Sequence, residues 1–410
     1  MSRAPHSVRT HRVAAAALAV TLGLGGLAGC SKDDEAGSAP NIATTSTSPD
    51  ATTAPSATDA SGAKVVAPEA VGPYKVGRQV ITMTDTARNR PLTVDVWYPA
   101  GVDATGAASR YTFTPTIYFD SKAALDAPPI ATDGPFPLVV YSHGSGGLRY
   151  VASFFTEVLA SHGFVVIAPD HTGNTAVDEI TGSAVPREEN AVNRVNDAQF
   201  VITDMLQRND TAGDFFAGSV DPDRIGITGH SFGGFTSLAT ASGYSNDIAT
   251  VPGDPRIKAV VAMAPYSELI SDEELIAIDV PTLLLTGTKD TTTPIEPETV
   301  RPWENIAGRP LFRVDLTDAG HQSFTDICEY QRLLPTIAEV PEVLISTVDK
   351  LALAGCGDAF IDEERAHEIS NIFVISFLET YVAGTSGYDN VLTKDGASII
   401  DEVTFSGVDK

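Results

Sequence analysis

The chain has 410 residues, of which 53 are acidic and 27 basic, so its formal charge at neutral pH is −26. Nucleic-acid binders need clustered Lys and Arg to neutralise phosphates, and this balance argues against nucleic acid as a partner. An apolar fraction of 43% with 7% aromatic residues is typical of a core-forming chain, and 3 cysteines are too few for a disulfide-built scaffold.

The N-terminal segment, residues 1–29, has the pattern of a secretory signal peptide. A start with arginines and no acid is followed by an apolar run from Val13 to Gly29. The ending Leu27-Ala28-Gly29-Cys30 resembles the bacterial lipobox, and this resemblance implies that Cys30 is acylated after cleavage. We therefore expect a protein exported to the bacterial cell envelope, held at the outer face of the membrane only through the lipid on Cys30.

Residues 30–71 differ in composition from the rest of the chain. They are rich in Ser, Thr, Ala, Pro and Asp and contain no aromatic residue, so they cannot build a core. We predict a disordered tether here. Core-forming sequence begins at Gly72-Pro73-Tyr74, and residues 72–410 are assigned to one large folded domain.

Two kinds of apolar pattern predict strands in this domain. Val76–Thr84 and Leu92–Tyr98 alternate apolar and polar residues, as half-buried antiparallel strands do. Later runs are short and continuously apolar, which favours parallel strands covered on both faces. These runs are Leu138–Tyr141, Phe164–Ala168, Ile225–Thr228, Ala259–Ala264, Thr282–Leu285 and Leu311–Leu316.

Helix-like segments separate or follow these strands. They include Tyr150–Ser161, Glu188–Gln207, Phe232–Ala241 and Glu298–Ile306, and the final one is Glu363–Ala383. Alternation of strands and helices implies right-handed crossovers and a parallel sheet. The predicted fold is α/β, with a mostly parallel central sheet, antiparallel N-terminal strands and helices on both faces.

The sequence Gly229-His230-Ser231-Phe232-Gly233 fits the pattern G-x-S-x-G between a predicted strand and a helix of small residues. Such a turn exposes the Ser231 hydroxyl at a helix N-terminus, where developing negative charge is favoured. The glycines leave room for neighbouring backbone. Ser231 is therefore the predicted nucleophile.

A serine hydroxyl needs a base, and in this type of site the chain order is Ser, acid, His. Asp290 and His321 follow predicted strands in that order, at the strand ends where α/β sheets place ligands. We predict that His321 takes the proton of Ser231 and that Asp290 orients the imidazole. The competing acids Glu268, Asp315 and Asp318 follow strands less directly.

The stretch Tyr141-Ser142-His143-Gly144-Ser145-Gly146-Gly147 places a glycine-rich turn after an early strand. Backbone N–H groups from such a turn, with that of the residue after the nucleophile, can bind a tetrahedral oxyanion. We predict that Ser145 and Phe232 supply them. No metal-ligand spacing joins His143, His171 and His230, so neither a metal nor a cofactor is expected.

These motifs resemble the plasma-type platelet-activating factor acetylhydrolases. The resemblance is carried by residues 141–149, 159–166 and 229–234, and it spans roughly residues 72–325. It implies an α/β-hydrolase that acts as a calcium-independent serine esterase on short or oxidised acyl chains of phospholipids. The family's nucleophile, oxyanion and histidine positions fall on Ser231, Ser145, Phe232 and His321.

The chain departs from that family in its acid. The stretch Val260-Val261-Ala262-Met263-Ala264-Pro265-Tyr266, where the family carries the carboxylate, has none. The acid falls one strand later, at Asp290, as in dienelactone-hydrolase-like and cutinase-like polyester hydrolases. The dienelactone hydrolases themselves use Cys in place of Ser231. A cutinase-like polyester hydrolase and a serine peptidase are therefore alternatives to a short-acyl or lipid esterase, with a non-catalytic surface lipoprotein as a further alternative.

Cys328 and Cys356 remain once Cys30 is assigned to the lipid. An even pair in an exported chain predicts a disulfide. It would tether the segment that follows His321, either as a wall of the substrate pocket or as a structural staple.

Overall fold

The computed structural model describes residues 65–409. The predicted signal peptide, Cys30 and residues 30–64 of the predicted tether lie outside the described residues. At the start of the described part, the N–H of Gly72 donates to Ser161 Oγ at 2.8 Å, and the carbonyl of Ala70 lies 3.0 Å from His162 Nε2. The chain just before the first strand therefore packs on the folded domain.

The strands include all the predicted runs, together with several that were not predicted. In chain order they are β1 Lys75–Asp85, β2 Arg90–Ala100, β3 Ala108–Thr114, β4 Ile117–Asp126, β5 Phe136–Ser142, β6 Val165–Pro169, β7 Val220–His230, β8 Gly243–Ser245, β9 Thr250–Pro252, β10 Ile257–Met263, β11 Thr282–Gly287, β12 Leu311–Leu316 and β13 Val403–Val408.

The helices alternate with these strands through most of the chain. They are α1 Ser153–Ser161, α2 Ala176–Thr181, α3 Arg187–Asp210, α4 Phe232–Ser242, α5 Asp272–Ile276, α6 Ile295–Glu298, α7 Val300–Asn305, α8 Ile327–Leu333, α9 Glu342–Ala352, α10 Glu363–Leu378 and α11 Lys394–Ala397. Short 3₁₀ turns occur at His321–Phe324, Leu334–Thr336 and Asp389–Leu392, and α10 runs into a π-helical turn at Glu379–Ala383.

Within the described residues, one 11-stranded sheet has the order β13-β12-β11-β10-β7-β5-β6-β2-β1-β4-β3. The six strands from β12 to β6 are parallel to one another. β2 pairs antiparallel with both β6 and β1, which confirms the predicted antiparallel N-terminal strands. The sheet therefore brings the carboxyl ends of its parallel strands to one edge.

The two faces of the sheet carry separate cores. Val139 and Tyr141 of β5 belong to the core packed against α1 and α10. Leu138 and Val140 of the same strand belong to the core packed against α3 and α4. Successive strand residues point to opposite faces, so a continuously apolar strand is what a sheet covered on both sides requires. The predicted fold class is confirmed.

Several elements differ from the sequence prediction. The strands β3, β4, β8 and β9, the antiparallel edge strand β13 and the helix α2 were not predicted. The helix predicted over Glu298–Ile306 is present as α7, Val300–Asn305, and the separate short helix α6 precedes it. Across residues 65–409, no helix has the length and apolarity needed to cross a membrane.

Candidate active site

Ser231 is the single residue between β7 and α4. Its φ is 58° and its ψ is −118°, a backbone conformation that costs energy for a residue with a side chain. The N–H of Ser231 donates to Met263 O at 2.9 Å, and the Ser231 carbonyl accepts from the N–H groups of Phe235 and Tyr266. These bonds hold the turn sharp, with the partly exposed Ser231 at the start of α4.

Two glycines of the motif allow this turn to pack closely. A Cβ on Gly233 would lie 1.8 Å from Ser142 O, and a Cβ on Gly229 would lie 2.4 Å from Gly233 O. Any side chain at either position would push α4 away from the end of β5. The spacing of the motif therefore reflects close backbone approach at the site.

His321 lies at the sheet edge and contacts Asp290. Its Nδ1 is 2.7 Å from Asp290 Oδ2, and both side chains are buried, at 4% and 5% exposure. The imidazole of His321 packs beside that of His230, the neighbour of Ser231, with ring centroids 4.6 Å apart. The structure thus brings together the turns that carry the predicted nucleophile, base and acid.

Asp290 is held by the turn that follows it. Its Oδ1 accepts the backbone N–H groups of Thr292 and Thr293 at 2.8 and 2.9 Å. Burial acts to raise the pKa of Asp290, but the hydrogen bond and charge of His321, with the Thr293 donors, outweigh burial and lower it. Asp290 is therefore an ionised carboxylate at neutral pH, aimed at His321.

Thr293 is a further residue of the site that was not predicted from the sequence. Its hydroxyl lies 2.9 Å from Asp290 Oδ2, 3.1 Å from His321 Nδ1 and 3.0 Å from Ala264 O. It joins the loops after β10, β11 and β12 at one point. A Thr three residues after a candidate acid carries no distinctive signal in a single sequence.

The competing acids lie elsewhere. Asp315 is paired with Arg313, Asp318 with Lys289, and Glu268 accepts from the hydroxyl of Tyr266. None of these carboxylates contacts His321 in the described part of the chain.

The glycine-rich turn over residues 141–147, called the oxyanion loop below, lies against the turn that carries Ser231. A Cβ placed on Gly144 would be 3.4 Å from Ser231 Cβ. The carbonyl of Gly144 accepts from Gly147 N at 3.1 Å and lies 2.7 Å from His143 Nδ1. Because a trans peptide points its N–H opposite to its carbonyl, the Ser145 N–H faces away from these partners. Neither Ser145 N nor Phe232 N donates a hydrogen bond within residues 65–409.

The other histidines at this edge are buried and neutral. Burial and the Arg194 charge lower the pKa of His171 to about 3, and burial and the His321 charge do the same for His230. His230 Nε2 donates to the carbonyl of His321 at 2.8 Å, which steadies the turn that carries the predicted base. Among the described residues, no group of three or more His, Cys, Asp or Glu side chains could hold a metal ion.

Cys328 and Cys356 form a disulfide, as predicted. The loop before Cys356 packs on the His321 turn, since Gln322 N donates to Ala354 O at 3.0 Å. A Cβ on Gly320 would lie 2.5 Å from the same Ala354 carbonyl. The bridged segment therefore supports the histidine turn directly.

Comparison with known proteins agrees with this architecture. A family model described as PET hydrolase-like matches residues 129–331, which include every predicted site residue from Ser145 to Cys328. A solved structure of a ferulic acid esterase from Streptomyces cinnamoneus superposes with a TM-score of 0.59 at 22% identity, covering 81% of this chain and 96% of the esterase.

Curated relatives fall into the two groups that the motifs resemble. Cutinase est1 of Thermobifida alba is 26% identical over 227 residues, which is 55% of this chain and 62% of the cutinase. A probable 1-alkyl-2-acetylglycerophosphocholine esterase of Arthroderma benhamiae is 26% identical over 225 residues, covering 42% of this chain and 54% of the esterase. The chain thus spans less than two thirds of the length of either relative. The chain has an α/β-hydrolase fold, and its residues 129–331 match the PET hydrolase-like family model.

Proposed function

We propose that the protein is a serine carboxylic-ester hydrolase that works through Ser231, His321 and Asp290. The observation that carries this proposal is the 2.7 Å contact between His321 Nδ1 and Asp290 Oδ2 beside the strained Ser231 turn. Because Nδ1 donates its proton to the carboxylate, Nε2 holds the lone pair that a general base needs.

In the acylation step, His321 Nε2 takes the hydroxyl proton of Ser231 while Oγ forms a bond to the ester carbonyl carbon. The carbonyl oxygen becomes an oxyanion that the N–H groups of Ser145 and Phe232 stabilise. His321 then gives its proton to the departing alcohol oxygen, and the ester C–O bond breaks. The acyl group remains on Ser231.

In the deacylation step, a water molecule replaces the alcohol beside His321. His321 removes a proton from this water as its oxygen attacks the acyl carbon, and the same N–H groups bind the second oxyanion. Collapse of this intermediate releases the carboxylic acid and returns the proton to Ser231 Oγ. Asp290 stays ionised and stabilises the imidazolium in both steps.

The proposed substrates are short-acyl or lipid esters, as the resemblance to the acetylhydrolases implies. The position of Asp290 after β11 supports a second candidate, cutinase-like cleavage of polyesters, and so does the PET hydrolase-like match. Tyr266 supplies an aromatic wall next to Ser231, because its N–H binds the Ser231 carbonyl and its ring packs against Phe232 with centroids 6.1 Å apart. An apolar wall suits the acyl or aromatic part of either substrate.

A fluorophosphonate probe and an ester panel test the proposal. The panel runs from acetyl to long-chain p-nitrophenyl esters and adds a short-acyl phospholipid, a polyester film and a p-nitroanilide as the peptidase substrate. We expect wild-type protein to label and to cleave esters, and Ser231→Ala to do neither. Ester cleavage that persists in Ser231→Ala would rule out the mechanism.

We further propose that the protein is exported and lipid-anchored through Cys30. The signal-peptide pattern of residues 1–29 and the lipobox resemblance support this. Radiolabelled palmitate fed to an expressing bacterium should be incorporated into the wild-type chain and not into Cys30→Ser. Equal label in both proteins would contradict the anchor.

A further inference from the structure

Arg194 of α3 is fully buried below the oxyanion loop. Its Nε donates to Thr236 Oγ1 at 3.0 Å, one terminal nitrogen donates to Asn174 Oδ1 at 2.7 Å, and the other donates to Ser142 Oγ at 3.2 Å and to the carbonyl of His143. No ion pair between described side chains includes Arg194. Burial lowers its pKa to about 9, which still leaves it cationic at neutral pH.

The partners of Arg194 belong to the two segments that carry the proposed oxyanion donors. Ser142 and His143 directly precede Gly144 and Ser145 in the loop. Asn174, which accepts from Arg194 through Oδ1, donates from Nδ2 to Ser145 Oγ at 3.1 Å. On the other side, the guanidinium lies 4.8 Å from the centre of the Phe232 ring, and Thr236 is on the same helix. The Arg194 side chain therefore contacts both segments that carry the proposed oxyanion donors.

Contact with the His143 carbonyl restrains the loop backbone. The peptide between His143 and Gly144 must keep its carbonyl toward Arg194, so the Gly144 N–H points the opposite way. Gly144 has no side chain that would resist a peptide flip. The guanidinium supplies the restraint that a side chain at this position would otherwise give.

The surrounding polar groups have one consistent donor assignment. His171 Nδ1 donates to the Asp197 carboxylate at 3.1 Å, so His171 Nε2 accepts from the hydroxyl of Ser142 at 2.9 Å, while Ser142 Oγ accepts from Arg194. The backbone N–H of His171 donates to His143 Nε2 at 3.1 Å. The proton of the His143 ring is therefore on Nδ1, which donates to the Gly144 carbonyl. Removing Arg194 would release Ser142, and with it this chain of bonds beneath the loop.

We infer that Arg194 is a positioning residue of the oxyanion hole, which sets the Ser145 loop against the start of α4 and adds a buried positive charge below the developing oxyanion. This inference rests on the ester hydrolysis proposed above. A pre-set hole acts in the transition state rather than on the bound ester, so its loss lowers kcat more than it changes KM.

Three variants test the inference. Arg194→Gln removes the charge and most donors, and Arg194→Lys keeps the charge without the planar fork. Arg256→Gln is the matched control, because Arg256 clamps the same helix through Gln199 O and Thr203 Oγ1 and pairs with Asp254, away from the sheet edge. Each variant is measured for thermal unfolding and for kcat and KM on p-nitrophenyl acetate, with sites counted by end-point fluorophosphonate titration.

We expect Arg194→Gln to lose about 10- to 100-fold in kcat per titrated site, with KM changed by less than about threefold. Arg194→Lys should recover part of that loss, whereas Arg256→Gln should unfold at lower temperature with wild-type kcat. Wild-type kcat per titrated site in Arg194→Gln overturns the inference. If Arg194→Gln does not fold, Arg194→Lys serves as the test. It loses the planar guanidinium, so its kcat must fall below that of the wild type for the inference to stand. A wild-type protein that cleaves no ester refutes the proposed function instead.

Discussion

Nδ1 of His321 and Oδ2 of Asp290 meet at 2.7 Å, although the two residues come from turns after different strands. The contact depends on the parallel register of β11 and β12, in which Gly287 lies opposite Leu316. After that pair, the segments that carry Asp290 and His321 leave the sheet on the same side, where the parallel strands end. A shift of either strand by one residue would separate the imidazole from the carboxylate.

Asp290→Asn tests the electrostatic half of this contact. The amide oxygen would face the Thr292 and Thr293 N–H groups, so its NH₂ group would face His321 and force the imidazole proton onto Nε2. We expect kcat for ester cleavage to fall about 10⁴-fold with little change in the unfolding temperature. Steady-state kinetics on p-nitrophenyl acetate measure this, and a loss below tenfold would show that another residue orients His321.

Gly233→Ala tests the close approach of α4 to β5. The new Cβ would start 1.8 Å from Ser142 O and must displace either the helix or the oxyanion loop. We expect loss of ester cleavage and a lower unfolding temperature. Gly101→Ala is the matched control, because a Cβ on Gly101 meets no atom within 4 Å and should change neither property. Wild-type activity in Gly233→Ala would contradict the packing described at the serine turn.

Replacing Cys328 and Cys356 together by Ser tests the disulfide. The bridge joins residues 28 apart, and its removal should cost about 3–4 kcal/mol of unfolding free energy in the chain-entropy model. Urea denaturation measures the difference. Wild-type protein with and without reductant is the control, and the reduced wild type should match the double variant. Equal stability of all three samples would show that the bridge constrains nothing.

Asp326 makes stability depend on pH. Its carboxyl is fully buried, accepts from Ser153 N and Ser153 Oγ at 2.6 Å each, and leaves Oδ1 without a partner among the described residues. Burial raises the pKa of Asp326 to about 8. The folded state therefore holds this proton over a range in which the unfolded chain, with a pKa near 3.8, has lost it.

The contribution of Asp326 to the unfolding free energy must then fall as pH rises from about 4 to about 8, and it stays constant above that. Asp326→Asn keeps the shape and removes the titration. Urea midpoints at pH 5 and pH 9 should differ more for the wild type than for the variant, with the variant the more stable at pH 9. Parallel pH dependence in the two proteins would mean that Asp326 ionises normally in the fold.

The local part of the site could be predicted from the sequence because each signal is short in range. Glycines around Ser231, an apolar strand before it and small residues after it dictate a strand–turn–helix by themselves. Asp290 and His321 could be placed because each follows a buried apolar run, and the ends of parallel strands share one edge. The Cys328–Cys356 disulfide could be predicted because two cysteines remain once Cys30 is assigned to the lipid, in a chain with a predicted export signal.

The remainder needed the tertiary structure. Pairing of β4 with β1, and of β13 with β12, depends on contacts between segments that other elements separate along the chain, and such contacts leave no mark on hydrophobic periodicity. In the sequence, Arg194 and Thr293 resemble any other polar residues. Only the packing shows that Arg194 lies beneath the oxyanion loop and that Thr293 joins the loops after three strands. Composition, charge and short motifs therefore determined the fold class and the candidate reacting groups. The supports of those groups were decided in three dimensions, because a buried polar side chain is recognised by its partners and not by its neighbours in sequence.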